Sequence, residues 1–300
     1  MRGNRFDTPA DHAVVVLCTA LAVLFGLFCL FPLWTALVSS FTRETTLIRE
    51  GYRLWPRDFD LTSYRLIFTG TSDVWNAYRV TFITTGAGVA LTLFLTAMLA
   101  YPISVATLKY RKPITLFAYA TMLFNGGLVA NYILTKRFLN LGNNILVLII
   151  PGALNAYNMF LMRNYFTTIP ESLAESAKID GATDMRIFFS LILPLSKPIL
   201  ATIALFSAMG YWNEWYRVLL YIDDNKLFTL QYLIMRLQQQ VDFLTSSLNP
   251  AAKASFGSII IPTVTVRLAT AMVSIGPIVL LYPFLQRYFI KGVMIGSVKG

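Results

Sequence analysis

Charged side chains are scarce in this sequence: Asp, Glu, Lys and Arg together make up 13% of its 300 residues, about half the share carried by a soluble domain. With 56% hydrophobic residues and a mean hydropathy of +0.60, that deficit excludes an ordinary water-soluble globule and places the chain in a bilayer. Acidic groups are the scarcest, 15 against 25 basic ones, for a net charge of +10. In a membrane chain such an excess sits at span ends facing anionic lipid, so no nucleic-acid partner is expected. The single histidine, His12, and the two cysteines exclude most metal and haem sites. Cys18 and Cys29 fall in one apolar run, about 16 Å apart along a helix and too distant to bridge. There is no Ser-His-Asp set, no metal-ligating cluster and no phosphate-cradling glycine loop. The chain is therefore expected to be no enzyme, with no catalytic residues, no metal and no nucleotide site of its own. Internal repeats and low-complexity linkers are also lacking, which predicts one domain over residues 1–300.

Long apolar runs are what the sequence has instead. A spanning helix needs about 20 apolar residues for about 30 Å of hydrocarbon. Six runs qualify, at about 13–41, 80–108, 114–134, 145–162, 195–220 and 268–289, predicting an all-α membrane protein. The first is longer than a signal-peptide core and is expected to remain as an anchor. Two polar excursions, 42–79 and 222–267, separate the runs on the outer side. In the second, Leu227, Leu230, Leu233, Ile234, Leu237, Val241 and Leu244 recur at helical spacing, predicting an amphipathic helix, with a loop at 257–262. Basic residues in the short segments, Lys109, Arg111, Lys112 and Arg163 among them, favour cytoplasmic N- and C-termini and a cytoplasmic connector between spans four and five.

Polar residues inside the spans are few. A buried unpaired amide costs several kcal/mol, so each must face another helix or a wet path. Asn155, Asn158, Asn213 and Glu214 are candidates for lining a hydrophilic route, with Tyr211, Trp212 and Trp215 as stacking faces for sugar rings. Interhelical hydrogen bonds and an interfacial aromatic belt are the competing uses of the same residues. One carboxylate, Glu214, is a poor proton relay, so the driving energy is expected to come from another protein.

The connector Thr168 to Pro194 is the most specific stretch. Thr168 followed by Glu171 reads as a capping box with Pro170 in the first turn. The helix so started carries Leu173, Ala174 and Ala177 on one side and Glu171, Glu175 and Lys178 on another. Gly181 is placed to end it in a left-handed conformation, Thr183 to cap a second helix and Pro194 to close that one.

Glu175-Ser176-Ala177, three residues, Gly181, nine residues, Leu191, one residue and Leu193-Pro194 resemble the EAA loop of importer-type ATP-binding-cassette permeases. Ser176 and Leu191 depart from the pattern conservatively. Asn125-Gly126-Gly127, Ser196-Lys197-Pro198, Tyr211-Trp212-Asn213 and the ending Tyr288 to Gly300 resemble the MalG-like sugar permeases, nearest to the complex-sugar and polysaccharide subgroup, which includes alginate importers. The resemblance implies a type I importer permease fold in a bacterial cytoplasmic (inner) membrane, with the connector as coupling helix. Glu175, Ser176, Ala177, Asp180, Gly181 and Pro194 would then meet a cytoplasmic ATPase. It also implies a second, MalF-like permease subunit, two ATPase subunits that hold ATP and Mg, a solute-binding protein that docks on the outer excursions, and an oligosaccharide substrate moved by alternating access. An importer of amino acids or peptides, and a self-sufficient secondary transporter, are the alternatives.

Overall fold

The computed structural model describes residues 9–69, 73–247 and 264–292. The expected loop at 257–262 and the C-terminal tail lie outside them. Every regular element among the described residues is a helix or helical turn, apart from one isolated antiparallel bridge between Thr42 and Phe59. Two units emerge, residues 1–71 with 241–275, and residues 72–240 with 276–300.

In the first unit, α1 (Pro9–Ser40) is apolar all round and presents its side chains outward, as a lipid-facing helix must. The unit also holds α2 (Glu44–Glu50) and α3 (Thr62–Thr69), with the start of α15 (Val264–Gly292). Glu44, only 5% exposed, ties it together. Its carboxylate accepts from the Val264 and Thr265 amides at 3.0 and 2.8 Å and from the Thr265 hydroxyl at 2.7 Å. A buried charge is tolerated here because three donors, two of them orphan amides at a helix N-terminus, converge on it. Phe41 stacks on Phe59 and Tyr64, and the Tyr64 and Ser40 hydroxyls share a hydrogen bond at 2.8 Å.

The second unit is built on α4 (Asp73–Ser104). Small residues Ala97 and Ala100 let it pack closely on Met159, Met162 and Phe166 of α8 (Ala156–Phe166), and on Ile199 and Ile203 of α12 (Lys197–Trp212). A second cluster joins Val80 to Val147 and Leu148 of α7 (Leu146–Ile149) and to Val218 and Tyr221 of α13 (Tyr216–Tyr221). Thr81 Oγ1 accepts from the Leu230 amide at 2.9 Å, starting α14 (Leu230–Ser247), the helix expected from the leucine spacing.

The spans differ in form from six straight helices. Among the described residues, only His12–Ser40 and Val74–Ser104 are long and apolar enough to cross a membrane unbroken. The third expected span is α5 (Arg111–Leu123) followed by α6 (Gly127–Ile133) and a π-turn to Phe138, bent by 112°. Gly127 makes that corner at φ +81°, and Asn125 Oδ1 accepts its amide. The fourth is bent by 50° where Pro151 and the extended Asn155 interrupt it. The expected fifth span, 195–220, begins at a 78° bend next to Ser196, where Asp184–Leu195 gives way to α12, and α12 stops at Trp212 rather than running on to 220.

Candidate functional site

The connector folds as a helical hairpin. Its first arm is α9 (Glu171–Ile179); its second is α10 (Asp184–Ile187), a π-turn from Phe188 to Ile192 and α11 (Leu193–Leu195). The expected capping box does not form. The chain turns tightly after α8, so the Thr168 hydroxyl lies over that helix end and donates to the Tyr165 carbonyl at 2.7 Å, the i−3 acceptor always within reach of a threonine. Pro170 becomes the residue before the first helical turn, with no side-chain cap.

The tip follows the sequence reading closely. Gly181 has φ +78°, a region closed to most side chains. Its amide donates to the Lys178 carbonyl at 3.0 Å and the Ala182 amide to the Ala177 carbonyl at 2.9 Å, the paired bonds of a Schellman end. Thr183 Oγ1 accepts from the Arg186 amide at 3.4 Å. Lys178 Nζ reaches Asp184 Oδ1 at 3.0 Å and joins the two arms. The Asp184 carboxylate, hydrogen-bonded to that ammonium, holds it above the ordinary lysine range.

Ala174, Ala177, Ala182 and Leu191 seat the hairpin on the buried cluster of α4 and α8. Glu175, Ser176, Asp180 and Gly181 face outward, Ala177 is half-buried against the chain's own core, and Pro194 stands inside the last helical turn before the bend. Sequence reasoning passed over two further tip residues: Ile179 is 87% exposed and Met185 57%. The tip thus presents two bare aliphatic side chains among charged and polar ones, the apolar-centre, polar-rim composition that protein interfaces share. The signal was present, since Ile179 breaks the polar run 175–184.

The polar span residues assemble elsewhere. Asn155, Asn158, Ser207, Tyr211, Glu214 and Arg217 border a cavity of about 260 Å³. Asn155 caps α8, accepting from the amides of Tyr157 and Asn158. Glu214 is paired with Arg217 at 2.9 Å and also accepts from the Arg217 amide at 2.9 Å. The buried Ser207 Oγ has no hydrogen-bond partner among the described residues. Asn213 lies apart from the cavity: its amide donates to the Met209 carbonyl and its oxygen accepts from Gln231. The aromatic expectation is corrected too. Tyr211 and Trp212 are 4% and 2% exposed, so neither ring offers a face for stacking. Tyr211 is pinned by its hydroxyl, which donates to the Ile149 carbonyl at 2.9 Å, and Gly88 leaves the room its ring fills. Trp215, 41% exposed, keeps an open face. Arg217, missed at first, stands at i+3 from Glu214, the spacing at which helical partners meet.

The comparisons with known proteins cover nearly the whole chain. It is 36% identical to the polygalacturonan/rhamnogalacturonan transport system permease protein YtcP of Bacillus subtilis, over 93% of this chain and 95% of that one. Identity to Protein LplC of the same organism is 35%, covering 92% and 91% respectively. Among solved structures, a chain of a bacterial ABC transporter involved in the import of the acidic polysaccharide alginate superposes with a TM-score of 0.79 at 28% identity, over 95% of this chain and all of that one. A family model matches residues 21–295, and the chain belongs to the family it describes, the inner membrane components of binding-protein-dependent transport systems.

Proposed function

We propose that this chain is the permease subunit through which an ATP-driven importer passes an acidic oligosaccharide into the cytoplasm, and that the hairpin of α9 to α11 is its coupling element. The observation that carries the reading is the hairpin: a tip closed by Gly181, braced by the Lys178–Asp184 pair, bare at Ile179 and seated by small residues on the core of a chain in this family. The acidic cargo is taken from the relatives, which serve polygalacturonan/rhamnogalacturonan and alginate transport.

In this scheme the termini and hairpin are cytoplasmic and six spans cross the inner membrane, three of them bent. A second permease subunit completes the route, one ATPase lies under each coupling hairpin, and a binding protein delivers the sugar from outside. ATP and Mg are held by the ATPases. Their closure pushes the hairpins, and because the helices are packed rather than compliant, the push rocks the spans between inward- and outward-facing states. Glu175, Ser176, Asp180 and Gly181 meet the ATPase, Ala177 and Pro194 hold the hairpin to the spans, and Asn155, Asn158 and Glu214 with Arg217 line part of the route. Asn213, bonded to Met209 and Gln231 away from the cavity, has no part in that lining.

Affinity purification of the tagged chain should recover an ATPase and a second membrane subunit, and the binding protein loaded with acidic oligosaccharides should stimulate the reconstituted ATPase. A chain that transports alone refutes the importer reading; stimulation only by amino acids or peptides refutes the cargo. Glu175→Lys and Gly181→Asp should abolish uptake while membrane insertion persists, and full uptake in either would remove the hairpin from the mechanism.

A further inference from the structure

A cavity of about 1020 Å³ opens between α5 and α8 in the second unit, away from the Asn158–Arg217 cavity. The helices run in opposite senses along it, so Arg111 and Lys112 at the start of α5 meet Arg163 near the end of α8 at the same mouth. No acidic residue borders it, and none of the three cations has an ion-pair partner among the described residues. Arg163 Nε is buried without a hydrogen-bond partner, an expensive state for a guanidinium unless something outside the chain supplies an acceptor. Beyond the mouth the walls turn apolar, through Leu116, Met122 and Phe160.

We infer that this groove is a binding site for one anionic phospholipid, its phosphate held by Arg111, Lys112 and Arg163 and its acyl chains lying along Leu116, Met122 and Phe160. Length fits: from Arg111 to Met122 is about 16 Å of helix, close to half of the roughly 30 Å hydrocarbon core. Charge fits as well, since three unneutralised cations at headgroup level select an anion over a zwitterion. An acidic oligosaccharide would satisfy the cations but leave its hydroxyls against hydrocarbon walls. The proposal rests on the importer reading only in requiring that the chain sit in a bilayer. The site would fasten α5 to α8, the helix that leads into the hairpin.

The test uses the complex purified with its partner subunits, equilibrated with phosphatidylglycerol or phosphatidylcholine and read by native mass spectrometry. Phosphatidylglycerol should be retained and phosphatidylcholine lost. The Arg111→Gln, Arg163→Gln double variant should weaken phosphatidylglycerol binding by about thirtyfold, while Lys136→Gln with Arg137→Gln, a basic pair outside the groove, should not. Met122→Glu keeps the cations and puts a carboxylate in the acyl path; it should also release the lipid, and its result decides the matter if the double variant fails to assemble. Retention unchanged by either groove variant overturns the proposal. So does a cross-link from Leu116→Cys to the second permease subunit, or protection of that cysteine by an acidic oligosaccharide and not by phosphatidylglycerol. Co-purification of the ATPase and stimulated hydrolysis are read on the same samples, so loss of the importer reading and loss of the lipid site are separable.

Discussion

Gly88→Ala is the sharpest perturbation available, because one methyl group reports on the whole polar cavity. A Cβ at position 88 would lie 2.5, 2.6 and 2.7 Å from three atoms of the Tyr211 ring, nearly an ångström inside ordinary contact. The ring cannot swing aside freely: Tyr211 is 4% exposed and its hydroxyl is tied to Ile149. Overpacking of this kind costs about 1–3 kcal/mol, and displacing the ring adds about 1 kcal/mol for the lost hydrogen bond. The expected total is about 2–4 kcal/mol. Tyr211→Ala should remove most of that penalty, so the double variant should be less than additive by about 2 kcal/mol. Thermal unfolding of the detergent-solubilised complex, with uptake measured in parallel, forms the cycle. If Gly88→Ala is neutral, or equally harmful with and without the Tyr211 ring, the packing described around the cavity is wrong.

Three further expectations are independent of that contact. Glu44→Ala removes the acceptor of three hydrogen bonds at the start of α15 and should loosen that helix end by about 3 kcal/mol, seen as faster amide exchange over residues 264–268; unchanged exchange would show that Glu44 holds nothing. Asn158→Ala should change uptake kinetics or substrate range while leaving ATPase co-purification intact, and wild-type kinetics would return Asn158 to a packing role. The carboxylate of Asp60 is held below its ordinary value of 3.8, chiefly by the Thr62 hydroxyl and amide. Its contribution to the start of α3 is therefore complete above that value and lost as pH falls through the lower folded one. Amide exchange at residues 62–65 should accelerate only on strong acidification, and acceleration near neutral pH would contradict the assignment.

Legibility in the sequence followed the range of the forces involved. The hairpin tip could be read in advance because its determinants are local: only glycine suits φ +78° at position 181, and Thr183 caps a helix that begins at the next residue. The Thr168 cap failed for an equally local reason that the sequence left undecided, namely that one hydroxyl had two possible partners. Windowed hydropathy smoothed over the breaks at Asn125–Gly127, Pro151–Asn155 and Ser196, since a few polar or turn residues barely change the mean of a long apolar run. The burial of Tyr211 and Trp212 depended on contacts distant in sequence, Gly88 for the one and Phe82 for the other. Arg217 is legible in the sequence, because it stands three residues from Glu214.

The pairing of Glu214 with Arg217 inside a single short segment has a kinetic consequence. Both charges travel on the same stretch of backbone, so when neighbouring helices slide or tilt, the pair moves as one neutral passenger. A bond between opposite charges on two helices that part would have to be broken each time they separate, which costs free energy wherever the partners are shielded from water. In the importer proposed above, the pair can therefore move with its segment without that cost, and the polarity it lends to the cavity stays constant.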